Sequence, residues 1–177
     1  MGSATLDRLT PRAREIVRTA AELLEREGPE ALSMRRLGAA LGIRASSLYE
    51  HVRDKQALEA ALISLGFEEQ AEVLAAAADG AAEPIAALFT AYRDFARRRP
   101  NLYRLMTERP LPREQLAPGV EAAAAMPLVR ATAGDQERAR AIWSFAHGMV
   151  ILELNGRFPP GADLDATWRK GLAAFTG

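Results

Sequence analysis

Ser33-Met34-Arg35-Arg36-Leu37-Gly38-Ala39-Ala40-Leu41-Gly42-Ile43-Arg44-Ala45-Ser46-Ser47-Leu48-Tyr49-Glu50-His51-Val52 reads as two short helices joined by a glycine-containing turn, which is the helix-turn-helix plan. Ser33 is of the type that caps a helix N-terminus. Gly38 and Ala39 are small where two helices must cross, and Gly42 can take a left-handed turn conformation without steric cost. Leu37, Leu41, Ile43 and Leu48 are expected to bury against Ile16, Ala20 and Leu24 of the preceding helix. With the apolar side so occupied, Arg44, Ala45, Ser46, Ser47 and Tyr49 are left to face outward.

In this motif the start of the second helix meets base edges in the major groove of DNA. Small Ala45, Ser46 and Ser47 permit close approach; a serine hydroxyl donates or accepts, and an alanine methyl can touch a thymine methyl. Arg35 and Arg44 are long enough for guanine or phosphate, while Ser33, Tyr49, His51 and Lys55 suit phosphate, Lys55 also standing in the first turn of the next helix. Blander roles exist for several of these: Ser33 as a plain cap, His51 as a packed or capping histidine, Tyr49 as packing. The chain as a whole carries equal numbers of acidic and basic side chains. Residues 31–55, however, hold Arg35, Arg36, Arg44, Arg53 and Lys55 against only Glu50 and Asp54, so one segment is locally basic in a neutral chain.

Outward from this stretch the pattern stays helical. The 177 residues include 36 alanines and 22 leucines, against 12 isoleucines and valines together. Alanine and leucine favour helices, whereas strands draw on β-branched residues, so the expectation is an all-α chain of about nine helices. Thr10-Pro11 opens the first, which Gly28 stops; Ser33 to Leu41 is the second, and Ala45 to His51 a short third. Asp54 caps a long fourth helix that Asp79-Gly80 breaks. Residues 83–98, 101–108, an Ala-rich 113–131 interrupted by Pro118-Gly119 and by Pro127, 135–155 and 163–175 follow. Residues 1–55 form a small N-terminal unit and 56–177 a larger helical bundle. Without cysteine there is no disulfide framework, Cys-ligated zinc site or thiol nucleophile. Met1 to Arg8 lacks the apolar core of a secretory signal, and no run reaches the ~18 apolar residues of a membrane span. A soluble, cytoplasmic protein is expected. His51 and His147 lie far apart, and no catalytic set, metal-ligand spacing or phosphate-cradling loop occurs, so neither enzyme chemistry, metal nor cofactor is expected.

The segment 12–60 resembles the N-terminal domain of TetR-family transcriptional regulators. The residues that carry the likeness are Ala20-Ala21, Leu23, Gly28, Ser33, Leu37 and Leu41-Gly42-Ile43, then Leu48-Tyr49-Glu50-His51-Val52 and Lys55-Gln56-Ala57-Leu58. The resemblance implies base contact from Arg35, Ala45, Ser46 and Ser47, and phosphate contact from Ser33, Tyr49, His51 and Lys55. Two positions depart from it. Gly38 stands where the family usually has alanine, and Arg44 where it often has serine, which leaves the third helix without its usual cap.

In 135–155 one apolar stripe is Ile142, Phe145, Met149 and Leu152; a second is Trp143, His147, Val150 and Leu154. A helix apolar on two faces needs two covered faces. With Leu164, Trp168, Leu172 and Phe175 on the last helix, residues 135–155 and 163–175 are the expected isologous homodimer contact. The run from Trp143 through His147-Gly148, Leu152-Glu153 and Gly156-Arg157-Phe158 resembles the "WHG" type of TetR C-terminal domain. Gly148 would serve close helix approach at the seam, His147 is a core histidine or a ligand contact, and Arg157 is the nearest partner for Glu153. Leu62, Leu65, Phe89, Tyr92, Phe95, Tyr103, Met106, Met126, Trp143 and His147 are the candidate pocket, each also explicable as core filler; as a set they favour an apolar or aromatic effector. Arg97-Arg98-Arg99 complements a helix C-terminus. The implied function is a ligand-responsive repressor on a palindromic operator, and the alternative is a helical dimeric adaptor without DNA binding.

Overall fold

The computed structural model describes residues 3–176, all of whose regular structure is helical. Ten α-helices occur among them: α1 (Ala4–Asp7), α2 (Pro11–Glu27), α3 (Met34–Ala40), α4 (Ala45–Leu48), α5 (Lys55–Ala78), α6 (Pro84–Arg98), α7 (Pro100–Thr107), α8 (Val120–Ala131), α9 (Gln136–Leu154) and α10 (Leu164–Thr176). Helix starts follow from local chemistry. Thr10 accepts the Ala13 N–H at 3.3 Å, Ser33 the Arg36 N–H at 3.2 Å, Asp54 the Ala57 N–H at 2.7 Å, Asp135 the Arg138 N–H at 2.9 Å and Asp163 the Ala166 N–H at 2.9 Å. Each satisfies an amide that the helix leaves unpaired, worth about 1 kcal/mol.

Packing divides the chain into two compact units. The first runs through Glu69 and takes in Arg99–Glu121; the second comprises Gln70–Arg98 and the chain from Ala122 onward. In the first, α2 buries Ile16, Val17, Ala20, Leu23 and Leu24, α3 adds Leu37 and α4 adds Leu48. Helix α7 packs on α2, where the Glu25 carboxylate accepts the Leu102 N–H at 2.7 Å and the Asn101 amide donates to the Glu25 carbonyl at 3.0 Å. The short α1, which the sequence did not suggest, is held by Glu68 of α5. That carboxylate accepts from the Thr5 N–H at 2.8 Å, the Thr5 hydroxyl at 2.7 Å and the Ser3 hydroxyl.

The second unit packs α6, α9 and α10 together. Phe89, Phe145 and Trp168 meet with centroids 5.5–5.9 Å apart, and Phe145 also reaches Phe175 at 5.8 Å. Gly171 makes room for Phe145: a Cβ there would clash with the edge of its ring, at Cζ. Arg93 on α6 pins both other helices, its Nε 3.0 Å from Glu153 and its Nη1 2.5 Å from Asp165. The Trp168 indole N–H donates to Glu153 as well.

Several expectations are corrected. Glu153 pairs with Arg93 and Trp168, while Arg157 is exposed; Arg157 lies past the end of α9, whereas Arg93 is carried beside Glu153 by the α6–α9 packing. Residues 113–131 are not one interrupted helix. Arg113–Gln115 is a single 3-10 turn, α8 begins after Pro118-Gly119, and Pro127 lies within α8 without breaking it, its ring buried. The third helix stops at Leu48, with Tyr49 as its C-cap. Leu41 and Ile43 are half-buried, because they sit at the turn and not beneath it.

Candidate nucleic-acid interface

Helices α3 and α4 cross at Gly38. A Cβ there would lie 2.9 Å from the Ile43 carbonyl oxygen and 3.2 Å from the Ala45 nitrogen, and the Gly38 carbonyl accepts the Ile43 N–H at 2.9 Å. Gly42 turns the chain at φ +68°, a left-handed conformation that favours glycine. Helix α4 then starts with Arg44 at its N-cap and no side chain capping it.

Burying Leu48 and Val52 decides what is left outside. Arg44, Ser46, Tyr49 and His51 are exposed, Ala45 and Ser47 half-buried, and Tyr49 is 53% exposed. Arg44, Ser46 and Tyr49 thus face outward as the pattern predicts, whereas Ala45 and Ser47 do so only in part. Ser33, half-buried, is the cap of α3, and Arg35 is exposed on the first turn behind it. Its neighbour Arg36 is engaged elsewhere, with Nε 2.8 Å and Nη2 2.6 Å from the Glu27 carboxylate. That pairing is the main reason the Glu27 carboxyl is held below the usual range. Lys55 is exposed, its Nζ 3.3 Å from Glu59. Between these residues stands Arg53, counted in the local charge but given no place by the motif. Its Nε donates to Asp54 at 2.8 Å and its Nη2 to Gln115 at 3.2 Å. The Ala57 amide, and after it Arg53, keep the Asp54 carboxyl below its ordinary range. The residue's exposed place beside Lys55 was visible in the motif, but its partner 62 positions away was not.

The ten pocket candidates fall in both units. Leu62, Leu65, Tyr103 and Met106 belong to the first, where Met106 fills the space above Gly66. Phe89, Tyr92, Phe95, Met126, Trp143 and His147 belong to the second. Of these, Phe89, Tyr92 and Phe95 are core, Met126 is 41% and Trp143 49% exposed, and His147 is half-buried. The Trp143 indole donates to the Tyr92 hydroxyl at 3.1 Å and its ring stacks on His147 at 5.6 Å. An open groove of about 860 Å³ lies instead between α5 and α6, with Val73, Ala77, Ala87 and Ala91 in its lining and Asp94, Arg97 and Arg98 at its polar end. None of the ten lines it. No cluster of metal-ligating side chains occurs among the described residues, and none of their helices is long and apolar enough to cross a membrane.

Comparison with known proteins agrees with this arrangement. Residues 16–62 match the family of bacterial regulatory proteins of the tetR type, and residues 85–175 match the tetracyclin repressor-like C-terminal domain. An uncharacterised HTH-type transcriptional regulator of Mycobacterium tuberculosis is 31% identical over 151 residues, 80% of this chain and 69% of that protein. The crystal structure of a regulatory protein superposes with a TM-score of 0.77 at 26% identity, covering 94% of this chain and 95% of the other. A Rhodococcus protein of unknown function does so at 0.74 and 26%, covering 95% of each. A Streptomyces coelicolor structure described as a possible TetR family regulator, 21% identical, shares the fold at a TM-score of 0.69, over 92% of this chain and 96% of that one. The Mycobacterium tuberculosis and Streptomyces coelicolor proteins are both described as transcriptional regulators. The chain is a member of the TetR family of transcriptional regulators, with a helix-turn-helix DNA-binding domain at its N-terminal end.

Proposed function

We propose that this regulator is a cytoplasmic, homodimeric repressor that leaves a palindromic operator when a small apolar or aromatic effector binds, with residues 1–55 reading DNA and 56–177 holding the effector and the dimer seam. Ser46 and Ser47 with Ala45, Arg35 and Arg44 meet base edges; Ser33, Tyr49, His51 and Lys55 meet phosphates. Two copies set their reading helices about 34–36 Å apart, one duplex turn. The effector acts only through a difference in affinity between the operator-competent and the incompetent conformer, and α5, which starts at the reader, is the lever. No cofactor is required.

The observation that carries this reading is the outward face of α9. Leu152 is 41% exposed and Trp143 49%, and Gly148 lies between them with nothing within 4 Å of where a Cβ would stand. Exposed apolar side chains at both edges of the outward half of α9, with the uncrowded Gly148 between them along the helix, suit close approach of a second α9, with α10 beside it. Sedimentation equilibrium tests the dimer, and a monomer at micromolar concentration refutes it. A mobility-shift assay with the DNA flanking the chain's own gene tests the reader. Binding that weakens steeply with salt is expected, because counterions are released. Mass spectrometry of co-purified small molecules tests the effector; a compound that binds without changing operator affinity would remove ligand-responsive repression.

A further inference from the structure

We infer that Arg53 is an additional phosphate-binding residue of the DNA reader, and that Gln115, from the loop after α7, is its positioning residue; this rests on the DNA-binding assignment of the N-terminal domain. The turn that follows α4 puts Val52 inside and leaves His51 and Arg53, on either side of it, exposed. In a docked helix-turn-helix the segments that flank the reading helix lie against the sugar-phosphate backbone. Arg53 is therefore on the phosphate side of the motif, two positions from His51 and two from Lys55.

Its guanidinium is already oriented. Asp54 takes the Nε at 2.8 Å with one oxygen while the other caps α5, and Gln115 takes one Nη2 proton at 3.2 Å. The Nη1 pair and the second Nη2 proton are not used by these partners, a fork suited to phosphate oxygens. Holding the side chain beforehand removes rotamer entropy that binding would otherwise lose. Gln115 is itself held in place. The buried Ser64 hydroxyl donates to the Ala60 carbonyl at 2.8 Å and accepts the Ala117 N–H at 2.9 Å, which seats the loop on α5. Arg109, at the other end of that loop, lies 3.8 Å from Glu59, the same carboxylate that Lys55 approaches at 3.3 Å.

The test is fluorescence anisotropy of the full chain on a labelled mixed-sequence duplex and on the gene-flanking DNA, across a salt series. Arg53→Ala is expected to shallow the slope of log affinity against log salt by about one phosphate contact, and to weaken both duplexes by a similar factor, roughly tenfold. Arg53→Lys keeps the charge and is expected to keep the slope. Gln115→Ala is expected to weaken binding severalfold in the wild-type background and not at all in the Arg53→Ala background. Both positions are exposed, and unchanged thermal melts confirm the fold. An unchanged slope in Arg53→Ala overturns the contact, and an equal effect of Gln115→Ala in both backgrounds overturns the positioning role. Wild-type chain with no affinity for either duplex at low salt would instead remove the reader itself.

Discussion

Gly38→Ala sets two magnitudes against each other at one atom. In a solvent-facing helix the change from glycine to alanine stabilises by about 1 kcal/mol. At this position the new methyl would sit 2.9 Å from the Ile43 carbonyl oxygen, 3.2 Å from the Ala45 nitrogen and 3.4 Å from the Ala45 Cα. All three are backbone atoms, so no flexible side chain can swing away; the Gly42–Arg44 turn itself has to move by a few tenths of an ångström. Overpacking of that kind costs about 1–3 kcal/mol, which exceeds the propensity gain. A net loss of about 1 kcal/mol is expected, read as a fall of about 2–4 °C in Tm by circular dichroism. The same movement carries Ala45 and Ser46 off their register with the groove, so operator affinity should fall further than stability does. Gly148→Ala is the control, since nothing of this chain stands within 4 Å of its added Cβ. It should gain about the propensity increment in monomer stability and weaken the dimer if α9 forms the seam. A Gly38→Ala chain that melts higher and binds DNA as before would refute the close α3–α4 crossing and the reasoning built on it.

Arg93→Met leaves Glu153, whose side chain is 9% exposed, without its cation. A stranded buried charge costs about 3 kcal/mol, so Tm should drop on the order of 10 °C, and Arg93→Met with Glu153→Leu should recover much of the loss in thermal melts. Gly171→Ala displaces the Phe145 ring from its slot and is expected to cost about 1–3 kcal/mol in urea unfolding; a neutral result would contradict the aromatic packing. For pH, the Glu27, Asp54 and Asp165 carboxyls all lie below their ordinary values, held chiefly by Arg36, by the Ala57 amide and by Arg93 respectively. A folded value below the unfolded one means the contribution is present above the unfolded value, near about 4, and is lost as pH falls through the folded one. Tm measured against pH should therefore decline in acid, and Asp165→Asn should remove part of that decline.

The elements of the reader are legible because each of their determinants is local. Thr10, Ser33 and Asp54 cap within three residues of themselves, Gly28 and Gly42 turn the chain where they stand, and of the expected buried set Leu37, Leu41, Ile43 and Leu48, the core positions Leu37 and Leu48 dictate which neighbours face out. Tyr49 and Ser46 were placed on the surface by that spacing alone. The partner of Glu153 was not, because nearness in sequence to Arg157 carries no information about a helix that returns 60 positions away. Pro127 misled for a related reason: a proline's usual effect on a helix is a prior that tertiary burial can override. The small α1 has a local cap, the Ser3 hydroxyl accepting the Leu6 N–H at 3.1 Å, but it is held in place by Glu68, a residue of another helix.

Local chemistry in the chain determined most of the helices and their starts, α1 and the start of α8 excepted, and which face of the reading helix is wet, since those are contests between a residue and its near neighbours or the solvent. Only the folded chain decided that Arg93 joins α6 to α9 and α10, that Gly171 receives Phe145 and that Gln115 reaches Arg53. Those outcomes depend on loop closure over long separations and on the fit of side chains between helices, and neither is written in the spacing of residues along any one of them.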